Sequence, residues 1–157
     1  MAAFPVSRLL VPLENSGQQA TRVNSLPKRF YLSTRKDRSA EGAALTEALE
    51  ALGWQCTFDW TALQEANLAR YPEIAQAEIA GVREADVLLV LLPGGYGTHA
   101  EIGAALALGR PIIIHAPNQQ VLDTPYPCVF HHHPGVKILI SEVLDVDAVL
   151  ACMPSGA

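Results

Sequence analysis

The feature that most constrains the fold is an unbroken apolar run at residues 87–92, Val-Leu-Leu-Val-Leu-Leu. A strand with one face in water would alternate apolar and polar side chains, so a continuous run indicates a strand covered on both faces. The run is also far shorter than the roughly 20 apolar residues that a membrane-spanning helix needs. We therefore expect a central strand of a parallel sheet and no membrane partner.

From Arg29 onward, short apolar segments alternate with amphipathic ones, the pattern of a parallel sheet covered by helices. The predicted strands are residues 29–33, 54–58, 86–92, 111–115 and 136–140. The predicted helices are residues 40–52, 72–84, 98–109 and a last helix that Ser141 caps and that ends near Cys152. A possible capping box of Thr61 and Gln64 opens a shorter helical piece. The sequence thus predicts a doubly wound α/β fold of the Rossmann or flavodoxin type, with a five-stranded parallel sheet in the order 2-1-3-4-5 and helices on both faces.

The domain organisation follows from length and composition. Residues 1–28 contain three prolines and no sustained apolar periodicity, so we expect a poorly structured N-terminal extension. Residues 29–157 are of the size of one domain, and half of the chain is hydrophobic, enough for a substantial core.

Charge and cysteine content exclude several classes of function. The net charge is −5 with only eleven Lys and Arg residues, which leaves no broad cationic surface for a large nucleic acid. A small-molecule partner remains. The cysteines are odd in number and form no Cys-x-x-Cys pair, so neither a disulfide framework nor a zinc knuckle is predicted: Cys56, Cys128 and Cys152. A reducing, cytoplasmic environment is expected.

The order 2-1-3-4-5 also predicts where a ligand binds. Ligands of doubly wound sheets bind where the strand order reverses, at the carboxyl ends of the strands. Two loops meet there, residues 33–38 and residues 93–98. The second loop contains Gly94, Gly95 and Gly97, so its backbone can approach a ligand closely and its free amides favour an anion. The loop lacks the spacing of a P-loop or of a dinucleotide-binding fingerprint.

Glu101 follows this loop, in the first turn of the predicted helix and close to the predicted ligand site. A carboxylate at that place can act on a bound ligand. Thr98 and Glu101 also have the spacing of a capping box, in which the carboxylate only satisfies a backbone amide. Spacing alone leaves both interpretations open.

Three motifs carry a family resemblance. They are Phe-Tyr-Leu-Ser at residues 30–33, Gly-Val-Arg-Glu-Ala-Asp at 81–86 and Gly-Thr-His-Ala-Glu-Ile-Gly at 97–103. With them, the stretch from Tyr31 to about Pro117 resembles the nucleoside 2-deoxyribosyltransferase family, including its nucleotide N-hydrolase branches. The resemblance implies that Glu101 attacks the anomeric carbon, that no cofactor is needed and that the protein is a homodimer or a larger homo-oligomer.

A second family shares one motif. Residues 93–101 also match the Pro-Gly-Gly-x-Gly-Thr-x-x-Glu signature of the LOG-type phosphoribohydrolases, which cleave N-glycosides as well. Two features differ from that family. No Arg-Lys pair lies near Gln76 and Ala77, and only nine residues separate Glu101 from Pro111, too few for its longer helix.

Further substrate-binding candidates follow from position. By its offset before Asp86, Glu78 resembles the family's acidic substrate-binding position and can contact or protonate the leaving base; the alternative is an ordinary exposed helix glutamate. Asp59 and Trp60, at the end of the second strand, can contact or stack on base or sugar, or form a turn and a core edge.

The first strand and its loop supply the remaining candidates. Tyr31 can place its phenol near the sugar, although a strand tyrosine is more often packing. Ser33 and Thr34, with Arg35 and Lys36 after them, can contact a 5′-phosphate or form a solvated turn. At Gly95, where the family's transferases tend to carry Asp and its monophosphate hydrolases Ser, neither is present, which leaves room for a phosphorylated or bulkier ligand.

Four histidines complete the set. His99 can face the ligand or solvent. The tract at residues 131–133 consists of three adjacent histidines, which point alternately on an extended chain and lack a Cys or carboxylate partner at ligand spacing, so no metal site is predicted. The function left open is twofold: an enzyme that cleaves an N-glycosidic bond of a nucleoside or nucleoside 5′-monophosphate, or a non-catalytic nucleotide-binding sensor of the same fold.

Overall fold

The computed structural model describes residues 28–63 and 67–154. The predicted extension lies outside the described residues except for Lys28, and so does Gln64 of the predicted capping box. Among the helices of the described part, none is long and apolar enough to cross a membrane.

The sheet has the predicted architecture. All neighbouring strands pair in parallel, and their order is β2-β1-β3-β4-β5. The strands are β1 (Arg29–Thr34), β2 (Gln55–Cys56), β3 (Val87–Leu91), β4 (Ile112–Ala116) and β5 (Val136–Ile140). Every residue of β3 is buried, as the apolar run predicts for a central strand.

Four α-helices connect the strands: α1 (Ser39–Ala51), α2 (Tyr71–Glu84), α3 (Tyr96–Ala107) and α4 (Val146–Cys152). Pro72 lies in the first turn of α2, where its missing N–H costs nothing. Gly53, just after α1, adopts a φ of 86°, a conformation that glycine reaches without a steric penalty. Short 3-10 segments occupy Lys36–Arg38, Trp60–Ala62, Leu68–Arg70, Gln119–Val121 and Val129–His132.

The two faces of the sheet carry separate cores. Alternate strand residues point to opposite faces, so Tyr31, Leu88 and Ile114 pack with α2 and α3, whereas Phe30 and Leu89 pack with α1 and α4. The fold is therefore doubly wound, as predicted. This division also decides which residues of β1 can reach α3.

Two helix ends differ from prediction. Helix α3 begins at Tyr96 rather than Thr98, because Gly95 takes the N-cap position with an extended backbone. Helix α4 begins at Val146, where the side chain of Asp145 accepts a hydrogen bond from the Asp147 amide. Ser141 does not cap it; its hydroxyl donates to the Val143 carbonyl instead. Strand β2 is also shorter than the predicted residues 54–58.

Candidate active site

Glu101 lies at the carboxyl end of the sheet and is buried, with only 6% of its surface exposed. Its Oε1 accepts a hydrogen bond of 2.6 Å from the Tyr31 hydroxyl. Its Oε2 accepts a second from the Ser33 hydroxyl. A buried carboxylate needs such partners, because burial without them carries a desolvation penalty of several kcal/mol.

The register of β1 explains why two hydroxyls reach one carboxylate. Tyr31 and Ser33 are two residues apart in a strand, so both side chains project to the same face of the sheet. That face is covered by α2 and α3. Glu101, on α3, spans the gap between them with its two oxygens.

The alternative role of Glu101, as a helix cap, does not fit these contacts. Thr98 is the third residue of α3, so it cannot be the N-cap of a box with Glu101. Glu101 is in the second turn of α3, not the first, and its carboxylate bonds to side chains of β1 rather than to a backbone amide of its own helix. Glu101 therefore does not act as a cap of α3.

Thr98 extends the polar network toward the glycine loop. Its Oγ1 lies 3.1 Å from the Ser33 hydroxyl and accepts from the Gly95 amide at 3.4 Å. A hydroxyl has one proton, and Ser33 gives its proton to the acceptor-only carboxylate of Glu101. Thr98 therefore donates to Ser33, and the bonds run in one direction from the loop backbone to Glu101.

Gly81 of α2 fixes the position of the Tyr31 ring. A Cβ built at Gly81 would lie 2.8 Å from Cδ2 of Tyr31 and 2.9 Å from Cβ of Phe58. These distances are shorter than real contacts, so only glycine permits α2 to pack this closely on β1. The ring is thereby wedged so that its hydroxyl points at Glu101.

An open cleft of about 160 Å³ exposes one edge of this network. Most of the predicted site residues meet there. Trp60 also lines a neighbouring cavity of about 150 Å³. Each cavity alone is smaller than the roughly 300 to 1,000 Å³ of typical ligand pockets. The cleft is lined by Thr34, Arg35, Trp60, Glu78, Gly95, Gly97, Thr98 and Glu101.

Three predicted substrate-binding residues are placed elsewhere. Asp59 is exposed, caps the Trp60–Ala62 segment by accepting from the Thr61 amide at 2.9 Å, and lines only the neighbouring cavity. His99 turns to the Gly95 carbonyl, 2.8 Å from its Nδ1, and stacks on His131. Gly94 does not line the cleft; a Cβ there would lie 2.6 Å from Cγ2 of Thr98, so it allows the loop to pack on that side chain.

The electrostatics distinguish the two glutamates of the cleft. Burial raises the pKa of Glu101, the hydrogen bonds from Ser33 and Tyr31 oppose that shift, and the charge of Glu78 adds to it. Burial also raises the pKa of Glu78, which is only partly covered. Burial and the Glu101 carboxylate raise the pKa of Tyr31 far above that of a free phenol, so Tyr31 remains a hydrogen-bond donor.

Arg38 does not line the cleft, but it contacts the residue before the glycine loop, and the sequence did not single it out. Although only 8% exposed, its guanidinium pairs with Glu41 and donates to the Leu92 carbonyl, directly before the glycine loop. It also lies 3.2 Å from Nδ1 of His115, whose Nε2 lies 3.0 Å from the Ser141 carbonyl. Since Arg38 is only a donor, Nδ1 of His115 accepts and its Nε2–H donates. The spacing of Arg38 and Glu41, three residues apart, was the available signal.

The family follows from comparison with known proteins. A match to the family described as Nucleoside 2-deoxyribosyltransferase covers residues 30–149. The chain belongs to this family. The matched residues include Tyr31, Ser33, Glu78 and Glu101. The match supports an enzyme that acts on nucleosides or nucleotides. Among curated proteins, none matches the chain significantly.

Two solved structures support the fold. The CMP N-glycosidase BcmB of Clostridium botulinum is 22% identical, with a TM-score of 0.57 over 79% of this chain and 95% of that one. BlsM is 18% identical, with a TM-score of 0.57 over 82% of this chain and 88% of that one. Both structures share the fold of the present chain.

The close packing of Gly81 on Tyr31 yields a first prediction. Gly81→Ala should lower the free energy of unfolding by about 1 to 3 kcal/mol, because the new methyl group forces the Tyr31 ring or Phe58 to move. Gly103→Ala, in α3, is the matched control, since a Cβ there meets nothing within 4 Å; it should be neutral or stabilising by up to about 1 kcal/mol. Chemical denaturation measures both. Equal effects of the two substitutions would contradict the packing argument.

The raised pKa of Glu101 yields a second prediction, about stability and pH. A carboxyl whose pKa is higher in the folded than in the unfolded state stabilises the fold below the unfolded pKa, and that stabilisation is lost as pH rises through the folded pKa. Glu101→Gln stays neutral at every pH. Its free energy of unfolding relative to wild type should therefore increase from pH 4 to pH 8. A relative stability that falls or stays constant over this range would show that the buried charge is fully compensated.

Proposed function

We propose that this protein cleaves the N-glycosidic bond of a nucleoside or a nucleoside 5′-monophosphate, with Glu101 as the nucleophile. One observation carries the proposal: a buried carboxylate at the edge of the cleft, with both oxygens held by strand hydroxyls and no role in capping its own helix. Family membership supports the substrate class.

The contacts of Glu101 suit the first chemical step. The carboxylate attacks C1′, the bond from C1′ to the base nitrogen breaks, and its electron pair leaves with the base. The hydroxyls of Tyr31 and Ser33 orient the carboxylate, since each donates a hydrogen bond to one of its oxygens. Each oxygen still keeps a lone pair free for attack. Such preorganisation lowers the cost of reaching the attack geometry.

The departing base needs a proton, and Glu78 is the group in the cleft that can give one. Its raised pKa increases the fraction that is protonated near neutral pH, while its partial exposure allows it to regain a proton from solvent. Glu101 and Glu78 then divide the roles of nucleophile and acid, as paired carboxyls in different environments do. In the second step, water or another base attacks C1′ and releases Glu101.

The rim of the cleft suits a 5′-phosphate. Thr34 and Arg35 line it beside the start of α3, where the first amides of the helix have no partner within the helix. Arg35 pairs with Asp37 at 2.7 Å on the exposed surface, so a phosphate can replace that carboxylate. Gly95 adds neither bulk nor charge at this rim, and a Cβ there would meet nothing within 4 Å.

A substrate panel tests this proposal. Purified wild type should release free base from at least one member of a set of ribo- and deoxyribonucleosides and their 5′-monophosphates, measured by chromatography with and without an added acceptor base. Glu101→Gln should lower kcat by at least about 10³-fold with an unchanged fold, because the neutral amide cannot attack. Glu73→Gln, an exposed glutamate of α2, is the matched control and should retain activity.

The opposite outcomes have definite meanings. Tight binding of a nucleotide by wild type with no base release across the panel would contradict an enzyme and favour a nucleotide sensor of this fold. Base release that Glu101→Gln retains in full would contradict the role of Glu101 while leaving the activity established.

A further inference from the structure

A cluster of metal-ligand side chains lies behind the glycine loop, outside the lining of the cleft. His99, Cys128 and His131 each offer one ligand atom, and these atoms all lie within 4.8 Å of one another. The cluster joins the first turns of α3 to the 3-10 segment Val129–His132. We propose that these three side chains form a zinc-binding site.

The local backbone explains why Cys128 and His131 are adjacent. Histidines on an extended chain would point alternately, but His131 and His132 lie in the 3-10 segment Val129–His132. There the His131 amide donates to the Cys128 carbonyl at 3.1 Å. With three residues per turn, side chains three apart in such a helix eclipse one another. The thiol of Cys128 and the ring of His131 therefore project on the same side.

His131 is buried, and its Nε2 has no hydrogen-bond partner in the part of the chain that the structure describes. Only 6% of the residue is exposed. An unsatisfied buried nitrogen costs about 1 to 3 kcal/mol, so its persistence calls for a ligand. A metal bond to Nε2 would satisfy it.

His99 can supply the second imidazole through a nitrogen that its backbone contact leaves unprotonated. Its Nδ1 lies 2.8 Å from the Gly95 carbonyl, which can only accept, so Nδ1 carries the proton and Nε2 keeps its lone pair. A backbone carbonyl on the distal nitrogen is the usual way in which proteins fix a metal-binding histidine. The His99 and His131 rings stack with centroids 5.4 Å apart.

The donor set selects the metal. One thiolate and two imidazoles, with no carboxylate in the cluster, suit Zn²⁺ rather than Mg²⁺ or Ca²⁺. Tetrahedral bonds of about 2.1 Å to nitrogen and 2.3 Å to sulfur place ligand atoms roughly 3.4 to 3.6 Å apart, so the side chains must close by about 1 Å. Water supplies the fourth ligand. Binding deprotonates the Cys128 thiol: Zn²⁺ gains a thiolate and one proton goes to buffer.

Metal titration of the full-length protein tests this site. Reduced, chelator-treated protein is titrated with Co²⁺, and then with Zn²⁺ as competitor. We expect one metal per chain, a thiolate-to-cobalt charge-transfer band, displacement by Zn²⁺, and release of about one proton near neutral pH. The absence of stoichiometric binding, or a cobalt spectrum without a thiolate band, would overturn the proposal.

Matched variants locate the ligands. Cys128→Ser should abolish the charge-transfer band, and His131→Ala and His99→Ala should each weaken Zn²⁺ binding by at least about 10-fold. The control variants Cys56→Ser, Cys152→Ser and His132→Ala remove the other two thiols and the neighbouring histidine while leaving the three proposed ligands in place. They should bind Zn²⁺ like wild type. Circular dichroism of each metal-free variant identifies misfolding. The cobalt spectrum of the wild type tests the site even if a variant misfolds. Equal loss in the controls, or none in the ligand variants, would refute the assignment.

Discussion

The candidate site depends on a carboxylate that is buried and yet fully hydrogen-bonded. Glu101 lies at the carboxyl end of the sheet, where Tyr31 and Ser33 present hydroxyls to its two oxygens. Both donors project from one face of β1 because strand side chains alternate. Their positions require α2 and α3 to pack on that face, with Gly81 against the Tyr31 ring. The hydrogen bonds of Glu101 therefore depend both on the register of β1 and on the packing of α2 and α3 against it.

The same arrangement explains why a carboxylate at this position tolerates burial. Burial raises the pKa of Glu101 and thus opposes ionisation, while the two hydroxyls favour the ionised form. A more exposed carboxylate would be better solvated and less reactive, and a buried one without donors would take up a proton. Arg38 also contributes to the position of the glycine loop, since its guanidinium donates to the carbonyl of Leu92, the residue directly before the loop.

Much of this fold could be predicted from the sequence. The apolar run at residues 87–92 and the alternation around it indicate a buried parallel sheet, and its order is confirmed. Glu101 could be singled out, but spacing to Thr98 could not separate a cap from a nucleophile, because the start of α3 depends on the conformation of Gly95. The roles of Gly81 and Arg38 depend on contacts across the fold, which local patterns do not contain. For the same reason Asp59 could not be distinguished from a turn residue, and the 3-10 turn that aligns Cys128 with His131 was not foreseen.

Whether Glu101 is the nucleophile can be tested directly by identifying the atom that bonds to the sugar. A nucleotide substrate bearing fluorine at C2′ destabilises positive charge at C1′ and slows both steps, so a covalent intermediate can accumulate. Intact-protein mass spectrometry after rapid denaturation, followed by peptide mapping, locates the adduct. We expect a mass gain of one glycosyl group on Glu101, absent from Glu101→Gln. An adduct on another residue, or sustained base release from the analogue with no adduct at all, would contradict Glu101 as the nucleophile.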